Sequence, residues 1–430
     1  MTLRLPLIAA ALLFASAALA DDWPTFRGPN RDGVCKETGL LQAWPKQGPP
    51  KVWTVSGLGI GFGTPIVADG KIFGLGTIGG KEVVWALNEA DGSVVWTLPI
   101  DDPRPKTNQN NGPSGSPTYD AGRLYAVSSK GRLVCVQAKD GKLLWKKEYL
   151  ADFGAKGLPA WAFTDTPLVD GDHVICVPTS AKAAVAALKK DTGKVVWQTE
   201  VPGGVGDGAG YSSVVKATLA GKPMYVVLLG NKAGVVGINP ENGKLLWQYN
   251  AKPATGGVAQ VPMPVVYKNH VWVSSSYSGG AALLEISADG ADRFTVKELK
   301  KYSKPELNNH HGGMVQVGEY VYFGHNQNDG NPVCVDLNTG EIKWGPERNP
   351  AGGAGSAAVL YADGRLYFRY QNHVLVLIEP SPEQLKVISS FRLPEPSSLQ
   401  SWPHPVIANG KLYIRDQDKL HCFNVKADKS

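Results

Sequence analysis

The sequence is poor in the features that build a metal centre, a disulfide framework or a membrane span. Its five cysteines are an odd number, and none stands at the spacing of a zinc site, a disulfide scaffold or a catalytic thiol. Four of them lie within apolar runs, which favours buried free thiols in the core: Cys135, Cys176, Cys334 and Cys422. After residue 20, no apolar run reaches the length of about eighteen residues that a spanning helix needs. We therefore expect no metal site and no membrane span.

An excess of charge of one sign is also small. Lys and Arg total 44 against 38 Asp and Glu, which gives a formal net charge of +6. These charges are scattered along the chain, whereas nucleic-acid-binding proteins concentrate Lys and Arg on one face or in one run. We expect no nucleic-acid partner.

The first twenty residues have the pattern of a cleaved secretory signal. They carry one charge, at Arg4, and then an apolar run that ends in Ala18-Leu19-Ala20. Cys35 lies well downstream of that point, so the mature N-terminus has no cysteine that could carry a lipid. We expect a signal peptide over 1–20 and an exported chain, periplasmic or secreted, that is soluble, monomeric and not lipid-anchored.

Glycine and proline, by contrast, are abundant, with 50 and 31 copies, and they accompany a repeat. The segment Asp140-Gly141-Lys142-Leu143-Leu144-Trp145 recurs in variant form at intervals of roughly fifty residues, a spacing typical of repeat architectures. In each copy the Gly supplies the positive φ of a tight hairpin turn, and the apolar residues that follow suit a strand. Each copy therefore predicts a turn followed by a strand.

A full period contains four strands and opens on a small or polar residue. Eight such openings follow one another: Thr64, Ser116, Thr166, Ser213, Met263, Gly313, Ser356 and His404. Four strands per period is typical of a propeller blade. The eighth period ends near Val425 after three strands, and the strand around Trp53 precedes the first period without a blade of its own. The sequence thus predicts an all-β, eight-bladed β-propeller of four-stranded blades over 51–430, whose last blade is closed by an N-terminal strand.

The aromatic residues of the fourth strands are predicted to hold the ring together by packing between neighbouring blades. The set is Trp53, Trp96, Trp145, Trp197, Trp247, Phe294 and Trp344. Residues 21–50 lack strand alternation and predict an arm laid on the propeller. Its aromatic residues Trp23, Phe26 and Trp44 are expected to dock on the propeller surface rather than to bind a ligand.

The Asp-Gly-Lys-x-x-Trp unit, repeated around an eight-fold array over about residues 51–425, resembles the tryptophan-docking repeat of pyrroloquinoline-quinone (PQQ) proteins. Two branches share that repeat: quinoprotein alcohol dehydrogenases, and BamB-type propellers that scaffold outer-membrane barrel assembly without a cofactor. The dehydrogenase branch implies an adjacent Cys-Cys pair, and this chain has none. The BamB branch implies a lipid-bearing N-terminal Cys, which is also missing here.

Function is expected at the channel mouth, where the residues just before each innermost strand converge. The ligand-binding candidates are Asn111, Trp161, Asp165, Tyr211, His310, His311, Trp402 and His404. The two Trp rings suit stacking on a flat ligand, and the imidazoles and Asp165 suit a metal or proton transfer. Equally, these side chains could simply fill a narrow polar funnel. Adjacent His310 and His311 point in different directions if their segment is extended.

The preferred prediction is an exported propeller that acts as a binding or scaffold protein through its funnel face, with a protein or small-molecule partner, no cofactor and no catalysis of its own. One alternative is a PQQ-dependent quinoprotein dehydrogenase that oxidises alcohols or sugars. In that case PQQ with calcium is implied, Trp161 or Trp402 is the stacking floor and Asp165 is the catalytic base. A second alternative is a BamB-like envelope assembly factor.

Overall fold

The computed structural model describes residues 22–104, 112–290, 292–348 and 351–428. Over these ranges the backbone forms strands β1 to β33 and one short helix, and the strands associate into eight sheets. The signal peptide predicted over 1–20 and the candidate Asn111 lie outside the described residues.

Each sheet is an antiparallel meander that forms one blade. Two strands precede the first complete blade: β1 (Val34–Cys35) and β2 (Lys51–Val55). Blade one contains β3 (Ile66–Ala68), β4 (Lys71–Ile78), β5 (Lys81–Asn88) and β6 (Val94–Asp101). Blade two contains β7 (Thr118–Asp120), β8 (Arg123–Val127), β9 (Arg132–Gln137) and β10 (Leu143–Glu148), followed by α1 (Tyr149–Phe153). Blade three contains β11 (Leu168–Asp170), β12 (His173–Cys176), β13 (Val185–Lys189) and β14 (Val195–Thr199). Blade four contains β15 (Val215–Leu219), β16 (Lys222–Leu228), β17 (Val235–Ile238) and β18 (Leu245–Tyr249).

The second half of the ring follows the same order. Blade five contains β19 (Val265–Tyr267), β20 (His270–Ser274), β21 (Ala281–Ala288) and β22 (Phe294–Tyr302). Blade six contains β23 (Val315–Val317), β24 (Tyr320–His325), β25 (Asn331–Asp336) and β26 (Ile342–Trp344). Blade seven contains β27 (Ala357–Ala362), β28 (Arg365–Tyr370), β29 (Val374–Glu379) and β30 (Lys386–Arg392). Blade eight contains β31 (Val406–Ala408), β32 (Lys411–Asp416) and β33 (Lys419–Asn424), and is completed by β2.

The closure of the ring confirms the predicted fold class. Strand β2 pairs antiparallel with β33, and Trp53 lies opposite Cys422. Arg415 of blade eight strengthens this closure, because its guanidinium donates to the carbonyls of Gly59 and Gly63 in the segment that leads into blade one. Pairing the first strand with the last removes two open sheet edges that would otherwise recruit other chains.

Turn glycines receive the Trp rings of the preceding blade. The indole of Trp145 in blade two covers Gly193 of blade three, where a Cβ would lie 2.8 Å from Trp145 Cε3. Its Nε1 donates to the Lys190 carbonyl of the same turn at 2.9 Å. Equivalent ring-on-glycine contacts join Trp53 to Gly92, Trp96 to Gly141 and Trp197 to Gly243. Glycine is needed at each of these positions because the backbone has a positive φ and because a side chain would collide with the aromatic ring.

The remaining members of the predicted docking set depart from this pattern. Trp344 donates to the Ser381 carbonyl of blade seven, whereas Trp247 donates to Met224 Sδ in its own blade at 3.2 Å. In blade five the strand register puts Lys300, not Phe294, at the docking position, because Lys300 pairs with Leu283 just before the bulge. Phe294 still packs between blades four and five, but it lies away from the docking position because the hairpin between β21 and β22 is longer than in the other blades.

The arm does more than lie on the surface. Strand β1 adds in parallel to the innermost strand of blade seven, a pairing that the sequence did not predict. Residues 25–33, which we call the plug, cross the channel. Arg27 Nη2 donates to the Met314 carbonyl of blade six at 2.5 Å, and Arg31 donates to the Thr166 and Pro167 carbonyls of blade three at 2.9 and 3.0 Å. The plug therefore separates the channel into two cavities.

Apolar side chains fill the spaces between blades. The largest cluster joins blades seven, eight and one and includes Trp23 and Trp44 of the arm, both buried. All five cysteines are buried, and Cys135, Cys176, Cys334 and Cys422 are free thiols within the core. No helix within the described residues is long and apolar enough to cross a membrane.

Candidate functional site

A cavity of about 130 Å³ lies above the plug, at the end of the channel where the chain enters each innermost strand. Six of the predicted candidates line it together: Trp161, Tyr211, His310, His311, Trp402 and His404. Asp165 is not among the residues that line it. Other lining residues were not among the predicted candidates, including Phe26, Arg27, Arg104 and Tyr277. Phe26 and Arg27 were missed because the arm shows no periodicity that would place it in the channel.

Two aromatic stacks form the walls. The Trp161 and Tyr277 rings stack with centroids 5.7 Å apart and an interplanar angle of 15°. Phe62 and Trp402 stack at 4.6 Å and 29°. The Trp402 indole is held in place by a 2.7 Å hydrogen bond from Nε1 to Gln371 Oε1. Each candidate Trp therefore already stacks on another side chain.

His310 is fixed by hydrogen bonds at both ring nitrogens. Nδ1 lies 2.5 Å from Ser356 Oγ and Nε2 lies 3.1 Å from the Tyr277 hydroxyl. Ser356 Oγ in turn donates to the Gln327 carbonyl. One tautomer satisfies every group: Tyr277 donates to Nε2, and Nδ1–H donates to Ser356. Burial lowers the pKa of His310 to about 3, so the ring is neutral at physiological pH and has no nitrogen free for a metal.

His311 and His404 complete the imidazole cluster. The rings of His310 and His311 lie face to face with centroids 3.7 Å apart. Divergence was predicted only for an extended segment, and that condition is not met, because His311 and Gly312 form a bend. His404 Nε2 donates to the His311 carbonyl at 3.2 Å, and burial lowers the pKa of His404 to about 3. The cluster is therefore uncharged.

Asp165 lies behind the cavity wall and is fully buried. Its Oδ2 accepts hydrogen bonds from the Tyr149 hydroxyl at 2.9 Å and from the Val177 amide at 3.1 Å. Burial raises the pKa of Asp165 to about 7. These partners hold the carboxyl group against the α1 segment, and its role as a base towards a ligand stays a prediction.

Arg27 occupies the cavity floor. Its Nη2 is bound by the Asp32 and Met314 carbonyls, while Nε and Nη1 are buried without a hydrogen-bond partner among the described residues. Gly313 makes room for it, because a Cβ there would lie 2.0 Å from Arg27 Nη1. Burial lowers the pKa of Arg27 to about 10, which leaves the guanidinium charged at neutral pH.

Hydroxyl groups at the blade openings tie neighbouring blades together around the cavity. Ser116 N donates to Thr166 Oγ1, Thr166 N donates to Ser213 Oγ, and His404 N donates to Thr64 Oγ1, over distances of 2.8 to 3.2 Å. The small polar residues that open each period in the sequence thus have a structural role. They fix the diameter of the channel mouth.

The residues of the cavity do not fit PQQ with calcium. Trp161 and Trp402 each stack on a neighbouring ring, Tyr277 and Phe62, so each leaves only its opposite face to a quinone. The cavity is also smaller than the roughly 300–1,000 Å³ of pockets that enclose drug-sized ligands. Among the described residues, no group of three or more His, Cys, Asp or Glu is placed to hold a metal ion.

Comparison with known proteins gives matches to both branches of the repeat. A family model described as outer membrane protein assembly factor BamB matches residues 80–345. The chain is 28% identical over 257 residues to the quinoprotein alcohol dehydrogenase PedH of Pseudomonas putida, covering 57% of this chain and 40% of PedH. It is 25% identical over 271 residues to BamB of Shewanella oneidensis, covering 63% of this chain and 62% of that protein. The chain thus spans less than two thirds of the length of these curated relatives.

Solved structures of both kinds of protein are also similar to this chain. The BamB structure from Moraxella catarrhalis superposes with a TM-score of 0.56 at 16% identity, covering 88% of this chain and 98% of that chain. The quinohemoprotein alcohol dehydrogenase from Comamonas testosteroni superposes with a TM-score of 0.64 at 14% identity, covering 95% of this chain and 81% of that chain. At these identities the likeness establishes the fold alone. Because the family model matches well over half of the residues, the chain belongs to the BamB family of PQQ-like β-propellers.

Proposed function

We propose that this protein is an exported binding propeller that receives a ligand or a partner's side chain in the cavity above the plug and does not catalyse a reaction. The observation that carries the proposal is the cavity itself, whose stacked aromatic rings and hydrogen-bonded imidazoles present a fixed surface. A fixed, largely apolar pocket with a few placed polar groups suits recognition.

The chemistry of the lining supports binding over catalysis. A general base must lie within hydrogen-bond reach of the proton that it removes. His310 has both nitrogens engaged, and Asp165 faces Tyr149 and Val177 behind the wall. His310 thus has no free nitrogen, and Asp165, whose Oδ1 has no hydrogen-bond partner among the described residues, does not line the cavity.

The relatives define the alternatives that must be tested. PedH is a quinoprotein alcohol dehydrogenase and BamB is an outer membrane protein assembly factor, as their names state. An export route agrees with the predicted signal peptide. If the protein were a dehydrogenase, adding PQQ with Ca²⁺ would produce dye reduction with alcohols or sugars, which would overturn the proposal. If it were an assembly factor, a barrel-assembly protein would co-purify with it irrespective of cavity substitutions.

A ligand screen with matched variants tests the proposal. Binding of small aromatic compounds is measured by thermal shift and by equilibrium dialysis. Trp161→Leu removes a wall of the cavity, whereas Trp96→Leu removes a half-buried ring of the same type from an outer strand. We expect Trp161→Leu to abolish binding and Trp96→Leu to lower stability while binding is retained. Equal binding by both variants would place the binding surface elsewhere.

A further inference from the structure

The floor of the cavity is formed in part by the buried, charged Arg27. Arg27 is 4% exposed, and its Nε and Nη1 lack partners among the described residues. Buried cations are normally paired, since an unsatisfied charged donor is costly. The described residues that line the cavity include no Asp or Glu, and the carboxylate that acts on the Arg27 charge is that of Asp32 in the plug. Asp32 leaves Nε and Nη1 without a hydrogen-bond acceptor, and a ligand in the cavity would supply one.

The walls define the rest of such a ligand. The Trp161–Tyr277 and Phe62–Trp402 stacks present ring surfaces above the guanidinium. Rings arranged in this way favour a flat, apolar body by stacking and area burial. A small inorganic anion would leave these surfaces without contact. The combination of walls and floor favours an anion attached to a flat carbon skeleton.

The size of the cavity limits the ligand further. With about 130 Å³ available, the cavity is well below the roughly 300–1,000 Å³ of pockets that enclose drug-sized ligands. It therefore suits a small ligand, such as a single ring that carries one acidic substituent. A fused tricyclic quinone with several carboxylates is considerably larger.

We propose that the cavity binds a small aromatic or similarly flat monocarboxylate, whose carboxylate accepts hydrogen bonds from Arg27 Nη1 and whose ring lies between the two aromatic stacks. The inference rests on the proposed function, because it names the class of ligand for the same cavity. Charge-assisted hydrogen bonds from a guanidinium to a carboxylate are the strongest that protein side chains make. The arm thus supplies the specificity-determining residue of a site built on the ring.

Benzoate and benzamide test the inference, because they share shape and differ in charge. Dissociation constants are measured by calorimetry and by quenching of Trp fluorescence in the full-length protein. We expect benzoate to bind at least about tenfold more tightly than benzamide. Arg27→Gln should remove this preference and Arg27→Lys should retain part of it. The matched control is Arg31→Gln, which alters an equally buried plug arginine that does not line the cavity, and it should keep the preference.

The outcomes separate this inference from the proposed function. Equal affinity for benzoate and benzamide, or a charge preference that persists in Arg27→Gln, overturns the carboxylate inference and leaves the binding propeller intact. If Arg27→Gln fails to fold, the benzoate-to-benzamide ratio of the wild type decides alone. If no compound in the screen shows binding that depends on Trp161, both the inference and the proposed function fail.

Discussion

The docking of a Trp ring on a turn glycine of the next blade can be tested with two glycines of blade three. Gly193 and Gly171 both have positive φ, 68° and 56°. A Cβ at Gly193 would meet Trp145 at 2.8 Å, whereas a Cβ at Gly171 would meet nothing within 4 Å. Alanine at either site adopts the left-handed region at a cost of about 1–2 kcal/mol. Only Gly193→Ala also displaces the indole.

The displacement adds a cost that can be approximated. Moving the Trp145 ring weakens the 2.9 Å bond from Nε1 to the Lys190 carbonyl, which is worth about 0.5–1.5 kcal/mol, and loosens the ring packing. We expect Gly171→Ala to lower the free energy of unfolding by about 1–2 kcal/mol and Gly193→Ala by about 1.5–3.5 kcal/mol. In a Trp145→Ala background, Gly193→Ala should cost no more than Gly171→Ala does, because no ring remains to be displaced.

The assay is denaturant unfolding followed by far-ultraviolet circular dichroism, so that loss of a Trp does not remove the signal. The four proteins needed are the two glycine variants, Trp145→Ala and the double variant. If Gly193→Ala and Gly171→Ala have the same unfolding midpoint, the Trp ring does not constrain the glycine. Docking of the Trp ring on the turn glycine would then make no contribution to the cohesion of neighbouring blades.

Three further predictions concern single side chains. Because burial raises the pKa of Asp165 from 3.8 to about 7, the folded state keeps a proton that the unfolded chain releases, so stability falls as pH rises from about 4 to 7. Asp165→Asn should therefore become more stable relative to wild type over that window, by up to about 4 kcal/mol, and a difference that does not vary with pH would contradict this. The lowered pKa of His310, from 6.5 to about 3, has the opposite sign. The stability that the neutral His310 ring contributes to the folded state is complete above pH 6.5 and is lost as the pH falls towards 3. The stability advantage of wild type over His310→Gln should therefore shrink by about 1.4 kcal/mol per pH unit below 6.5. Trp145→Ala should lower the denaturant midpoint more than Phe294→Ala, since Phe294 is not at the docking position. Equal midpoints would show that the docking position does not determine how much a ring stabilises the fold.

The architecture was predictable because the repeat reports it directly. Each turn glycine and the Trp after it mark one blade, and the unpaired strand at Trp53 completes the count. The docking position in blade five was not predictable, because the spacing from Gly290 to Phe294 matches the repeat while the longer hairpin moves Lys300 into register. The spacing of residues in the sequence gives their order along one strand, but not which residue of the neighbouring strand each one pairs with.

The candidate site was predictable only where it belongs to the repeat. Trp161, Tyr211, His310 and Trp402 precede innermost strands, and the ring symmetry brings them together. Arg27 comes from a segment without periodicity, so nothing in the sequence related it to Gly313 nearly three hundred residues later. Its position depends on long-range contacts of the plug, which only the folded chain defines.

The course of the arm gives a thermodynamic link between ligand occupancy and ring closure. The chain runs from the plug through β1, which pairs with blade seven, and residues 36–50 to β2, the strand that completes blade eight. A ligand that holds Arg27 binds only the state in which the arm is seated, so it raises the free energy of arm release by its own binding energy at the ambient concentration. A bound ligand would therefore hold the N-terminal segment more firmly on the ring, and protection of the arm from proteolysis would measure the fraction of cavities that contain ligand.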